Sequence, residues 1–282
     1  MVGWAGLGSI VPRLLRWLHE SRIGSNKTIF SFWDGGAQNA PPVVCLCFEL
    51  WQKLNPEYRF VVLDGERAGE VLATLGLSRD AMGIQALSDV LRVNTLFLTG
   101  GIWVDAAVLP VRPVKAWLPP IRRGDFFAFS KPGPDRALSS WFLAAGRDSY
   151  IMHKWWDEVV RYWDRPRRLL MDPRQGDSTP RDPVLSVSPQ EAGKDDTYPY
   201  FWVHYLFGFA LQEDEQFRSA WSHCEDVSAL PPHELQSLLR QNRMPNDETI
   251  LTALRRSPVH KLDWRETYPV DQLKYLTLTT AS

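Results

Sequence analysis

The pair Gly100-Gly101 constrains the fold most strongly, because it separates a helical pattern over residues 85–98 from the short apolar run Ile102-Trp103-Val104. Glycine alone takes a positive φ without steric penalty, so the pair stops the helix and releases the chain into a strand. On that helix Asp89 and Arg92 stand three residues apart and share one face, where they can address one ligand together. An ordinary surface ion pair is the other reading. Asp105 follows the strand at its C-terminal end, the end at which open α/β sheets bind ligands. A carboxylate there can hold a divalent cation against a diphosphate.

The surrounding pattern alternates. Residues 28–33 and 58–63 read as strands, 43–54 and 66–75 as helices, and 102–104, 126–130 and 141–145 as further strands. This predicts an α/β fold with a parallel-rich sheet flanked by helices. The C-terminal half is more helical, at 150–163, 200–211, 232–240 and 247–254. Residues 165–197 are dense in Pro, Asp, Arg and Ser and lack apolar periodicity, which predicts a long loop able to act as a lid. No repeat or linker divides the chain, so the expected organisation is an N-terminal segment over 1–26 and one domain over 27–282. Within that segment residues 11–18 are basic and amphipathic, suited either to an anionic membrane surface or to docking on the domain.

Composition narrows the function. With 32 basic and 33 acidic residues the net charge is -1, so no global field recruits nucleic acid and no such partner is expected. A hydrophobic fraction of 44% with 13 tryptophans in 282 residues excludes disorder and supports a large core. Cys45, Cys47 and Cys224 are odd in number and lack metal-finger spacing; the first two read as buried thiols, which suits a reducing, cytoplasmic compartment. No apolar run reaches the roughly 18 residues of a membrane span, and residues 1–10 lack a signal-peptide pattern. The expected location is therefore cytoplasmic, with peripheral contact at the inner face of the membrane through the N-terminal segment.

Ser88-Asp89-x-x-Arg92 followed by Gly100-Gly101-Ile102-Trp103-x-Asp105 resembles the nucleotide-sugar glycosyltransferases of the capsular polysaccharide synthesis family. Its relatives include the glucosylating clostridial toxins and the mannosyltransferases with a DxD sugar-binding motif. The likeness extends in order through Ile29 to Gly36, Trp51 to Tyr58, Ser139-Ser140-Trp141-Phe142 and Ser257 to Leu262. It implies the Rossmann-like GT-A fold with a helical C-terminal half. It also implies a glycosyltransferase that moves sugar, with retention, from a nucleotide-diphospho-sugar, a UDP-sugar, to a glycan or lipid-linked saccharide in capsular or surface polysaccharide synthesis. A sugar-nucleotide-binding or scaffolding protein without turnover is the alternative, because Ala107 stands where a DxD motif has its second acid.

The same resemblance assigns the site. Asp89 contacts hydroxyls of the ribose or donor sugar, and Arg92 steadies sugar or phosphate with its planar fork. Asp105 anchors Mn²⁺ or Mg²⁺. Trp33 stacks on the base or joins the core, Asp34, Gly35 and Gly36 let the backbone approach the nucleotide, and Gly100 and Gly101 join the donor site. His260 is either a second metal or phosphate contact or a structural residue, and Lys261 neutralises the leaving diphosphate. Trp103 and His204 read as packed.

Overall fold

The computed structural model describes residues 27–121, 125–169, 197–241 and 245–281. Its strands are Thr28–Phe32 (β1), Arg59–Leu63 (β2), Gly101–Val104 (β3), Val108–Pro110 (β4), Phe126–Gly133 (β5), Arg136–Ala145 (β6), Arg168–Leu169 (β7), Thr197–Tyr198 (β8) and Val259–Lys261 (β9). In β1 the successive residues Ile29 and Phe30 are both buried, which demands cover on both faces of the sheet. The main sheet runs β2-β1-β3-β6-β5. β1 is parallel to both neighbours, whereas β6 is antiparallel to β3 and to β5. The sheet is thus mixed rather than parallel-rich. A tight turn at Pro134 and Asp135 joins β5 to β6, and so short a connection permits only antiparallel pairing.

Helices cover both faces. Pro42–Leu54 (α1) starts with proline at its first turn and buries Val43, Cys47, Leu50 and Trp51. Cys45 is exposed and only Cys47 is buried, since residues two apart on a helix cannot share a face. Gly65–Thr74 (α2) is capped by the Asp64 carboxylate, which accepts from the Arg67 N–H at 3.1 Å. Ile84–Thr99 (α3) lies against the sheet and is buried from Asp89 through Leu96 without a break. Gly100 ends it at φ 64°, with its N–H bonded to the Leu96 carbonyl at 2.8 Å. Gly101 has φ 99°, and a Cβ there would stand 2.7 Å from the Thr28 carbonyl oxygen. Gly101 thus lets β3 lie against β1, and Gly100 lets the chain pass the backbone of Ala145 and Arg147.

Val114–Ile121 (α4) packs with Trp51 on one face of the sheet, against Ile102, Val104, Phe127 and Phe142. Tyr150–Tyr162 (α5), Trp202–Glu213 (α6) and Glu215–Ser222 (α7) join α3 on the other face, around Trp103, Trp155 and Phe207. The opposite placement of Trp103 and its neighbours Ile102 and Val104 follows strand alternation. Glu234–Gln241 (α8), Asp247–Arg255 (α9) and Val270–Ala281 (α10) complete a further core with α1. β4 and β9 pair antiparallel and tie this C-terminal part to the strand end at Asp105.

The ends of the expected loop over 165–197 meet, because β7 and β8 pair in parallel. Its body, residues 170–196, lies outside the described residues, as does the expected amphipathic segment over 1–26. No helix of the described residues is long and apolar enough to cross a membrane.

Candidate functional site

A cavity of about 840 Å³ opens along the sheet end where β1 and β3 finish. Trp33, Asp34 and Gly35 reach it from β1, Ser88 and Arg92 from α3, Asp105 from β3, and Lys261 from β9. β6 contributes three successive residues, Ser139, Ser140 and Trp141. Its pairing with β5 shifts register between Ala128↔Leu143 and Ser130↔Leu138, and this irregularity turns consecutive side chains toward one space.

Arg92 is the centre of the site although only 2% of its side chain is exposed. Its Nη1 lies 3.0 Å from Asp89 Oδ1 and its Nη2 lies 3.1 Å from Asp105 Oδ1. The same guanidinium donates to the Ser88 hydroxyl at 3.1 Å and to the Ser140 hydroxyl. Asp105 Oδ1 also accepts from Trp103 Nε1 at 3.1 Å, and Asp105 Oδ2 lies 3.7 Å from Lys261 Nζ. Burial works to raise the Asp105 pKa, but Arg92, Lys261 and these hydrogen bonds outweigh it and hold the carboxylate below its usual range.

Asp89 does not line the cavity. It is fully buried behind Arg92, so it fixes the fork of Arg92 instead of touching a ligand as the sequence suggested. Burial first, and then the charge of Asp105, push its pKa up to about 7 against the opposing pull of Arg92.

Two further expectations are corrected. Gly100 and Gly101 sit at the start of β3, at the opposite end from Asp105, among backbone atoms of Thr28, Ala145 and Arg147 and the Phe30 ring; they turn the chain and do not line the cavity. His260 faces away from the cavity because it neighbours Lys261 on a strand, and adjacent side chains point to opposite sides. It is fully buried with Nε2 3.2 Å from the Leu254 carbonyl, and burial pushes its pKa down to about 4. His204, expected to be packed, is buried yet forms part of the cavity wall.

The described residues do not suit the expected Mn²⁺ or Mg²⁺. They place no three His, Cys, Asp or Glu together for a metal ion. Asp105, the acid expected to bind it, already has one oxygen on Arg92 and Trp103 and the other beside Lys261. Such an arrangement satisfies the carboxylate with cations of the chain itself, whereas Mg²⁺ and Mn²⁺ want several oxygen ligands.

At the β1 end Trp33 meets Trp264 edge to face, with ring centroids 5.3 Å apart. Trp33 Nε1 is anchored on the Asn39 carbonyl at 3.3 Å, and the Arg265 guanidinium stands 4.3 Å from the Trp264 ring centroid. Asp34 pairs with Arg79 at 2.7 Å, and both are about two-fifths exposed, so this pair holds the loop only weakly. The sequence did not point to Trp264 or Arg265, nor to Arg136 and Phe201, which also line the cavity. A tryptophan two residues past the recognised Lys261-Leu262 was the one available signal.

Residues 16–172 match the profile of the capsular polysaccharide synthesis protein family. The chain belongs to this family. The matched part holds Arg92, Asp105 and Ser139 to Trp141, while Lys261 and Trp264 lie beyond it. Among curated relatives, the chain is 25% identical over 166 residues to the O-glycosyltransferase PaGT of Phomopsis amygdali, covering 51% of this chain and 41% of that one. It is 26% identical over 172 residues to the O-glycosyltransferase braB of Annulohypoxylon truncatum, covering 52% and 40%. It is 29% identical over 160 residues to the glycosyltransferase afumC of Aspergillus fumigatus, covering 49% and 41%. The match thus spans about two fifths of these relatives' length. A solved structure, the PaToxG glycosyltransferase, overlays 95% of both chains at 14% identity and a TM-score of 0.37, too loose to carry an argument.

Proposed function

We propose that this member of the capsular polysaccharide synthesis family is a GT-A glycosyltransferase that moves a sugar from a nucleotide-diphospho-sugar, a UDP-sugar, to an acceptor hydroxyl with retention of configuration. One observation carries the reading: Arg92 and Lys261 flank an ionised Asp105 at the end of β3, inside a cavity whose β1 end presents the Trp33/Trp264 pair. A planar base fits beside an indole, and the two cations lie one strand further along, where a diphosphate joined to that base falls. The curated relatives named as O-glycosyltransferases support the reaction class.

As the bond from the sugar carbon to phosphate oxygen breaks, negative charge grows on the departing diphosphate. Arg92 and Lys261 stabilise that charge, and they cost no reorganisation because Asp89, Ser88 and Ser140 already fix the guanidinium. Asp105 keeps both cations aimed. Among the described residues, the acids lining the cavity are Asp34, Asp105 and Asp263, none of them on β6 or α6.

The test is nucleoside diphosphate release by the full chain from UDP-sugars and GDP-sugars, with Mn²⁺ and with a chelator. Release from at least one UDP-sugar is expected. A chain that neither binds nor turns over any donor under either condition would overturn the proposal.

A further inference from the structure

We infer that the part of the cavity built from β6 and α6 receives the acceptor, and that this acceptor is an alcohol or phenol on an apolar body, not a free saccharide. The inference rests on the transferase reading for its chemistry. Along the sheet the order is β1, β3, β6, so base and diphosphate subsites at the first two strands leave the third for the group that attacks.

The β6 wall has a place for one hydroxyl. Ser139 and Trp141 line the cavity and are 2% and 7% exposed, and the buried Ser139 hydroxyl and Trp141 indole N–H have no hydrogen-bond partner among the described residues. Buried polar groups without partners are uncommon and call for one. A ligand hydroxyl that accepts from Trp141 and donates to Ser139 satisfies both. The neighbouring Ser140 hydroxyl is already engaged by Arg92, which puts this place next to the diphosphate subsite.

The wall of that end also carries apolar side chains beside the polar Arg136, His204 and His233. Among the described residues five large hydrophobic side chains stay exposed; besides Trp264, which belongs to the base end, two of them, Ile84 and Leu230, line this cavity. Leu230 is 63% exposed. Water-facing apolar groups gathered at a concave site mark a surface that an apolar ligand covers. Phe201 joins this wall with one ring face covered by the Arg136 guanidinium, 3.5 Å from its centroid. A saccharide would leave these groups without apolar contact and would need polar partners for many hydroxyls at once. This departs from the glycan or lipid-linked saccharide that the sequence led us to expect.

Calorimetric titration of the full chain, without donor, tests the inference with 4-methylumbelliferone as phenol and maltotriose as saccharide. The phenol is expected to bind at least about tenfold more tightly, and Leu230→Asp to weaken it about tenfold, the effect of losing one leucine contact. Because Leu230 is exposed, the thermal midpoint of that variant should stay near wild type, and this is measured alongside. Equal or tighter binding of maltotriose, no binding of the phenol, or unchanged affinity in folded Leu230→Asp would each overturn the proposal. Nucleoside diphosphate release is a separate readout: phenol binding without donor turnover sinks the transferase reading alone, and turnover without phenol binding sinks this one.

Discussion

Replacing Asp89 by Asn should change how stability depends on pH, in a direction fixed by the burial of this carboxyl. Burial, aided by Asp105 and opposed by Arg92, raises the Asp89 pKa from 3.8 to about 7. Between these values the folded chain holds a proton that the unfolded chain has released. The wild type is therefore fully favoured by this group below the lower value and loses that contribution as pH rises through the upper one. By linkage the loss is at most about 4 kcal/mol, a ceiling for a carboxyl so close to an arginine. Asn imitates the protonated acid and does not titrate, so Asp89→Asn should gain on the wild type across the window from about pH 4 to about pH 7. Urea unfolding of both proteins at several pH values across that window, followed by tryptophan fluorescence, gives the difference directly. A stability difference independent of pH would refute the reasoning and show Asp89 ionised throughout.

Other variants probe separate parts of the account. Arg92→Lys keeps the charge but loses the fork that reaches Asp89, Asp105, Ser88 and Ser140; losing two charged hydrogen bonds should cost about 3 kcal/mol, or roughly 6–12 °C in thermal midpoint, together with donor affinity. An unchanged midpoint would contradict the buried pairing. Gly101→Ala puts a Cβ against the Thr28 carbonyl at positive φ and should destabilise by about 1–3 kcal/mol, with donor affinity retained in the folded fraction; a neutral effect would contradict the turn role. His260→Leu should cost about 1–3 kcal/mol through the orphaned Leu254 carbonyl and leave any response to Mn²⁺ unaltered. A changed response to Mn²⁺ would return His260 to the site.

The sequence was most legible where periodicity and glycine agree. The helix carrying Asp89 and Arg92, its stop at Gly100, and Asp105 at the end of β3 all stand where the pattern put them. Less legible was what depends on depth. Spacing shows that Asp89 and Arg92 share a face, but not that the face is buried and that one residue lies behind the other. Strand alternation applied to Lys261 would have turned His260 away from it, yet β9 is only three residues long and too short to recognise as a strand. The helix Val114–Ile121 was hidden by Pro119 and Pro120, which read as breakers, and the register shift in β6 that exposes Ser139 and Trp141 to the cavity leaves no periodic trace. Residues meeting from distant segments, such as Trp33 with Trp264, come together only through the fold.

The central claim, that this cavity holds a nucleotide-sugar, is tested most directly by a crystal structure of the full chain with UDP. The base is expected at the Trp33/Trp264 pair and the diphosphate on the cavity side of Arg92 and Lys261, with Asp89 still behind the arginine. UDP bound elsewhere, or phosphates placed at Gly100 and Gly101, would contradict it.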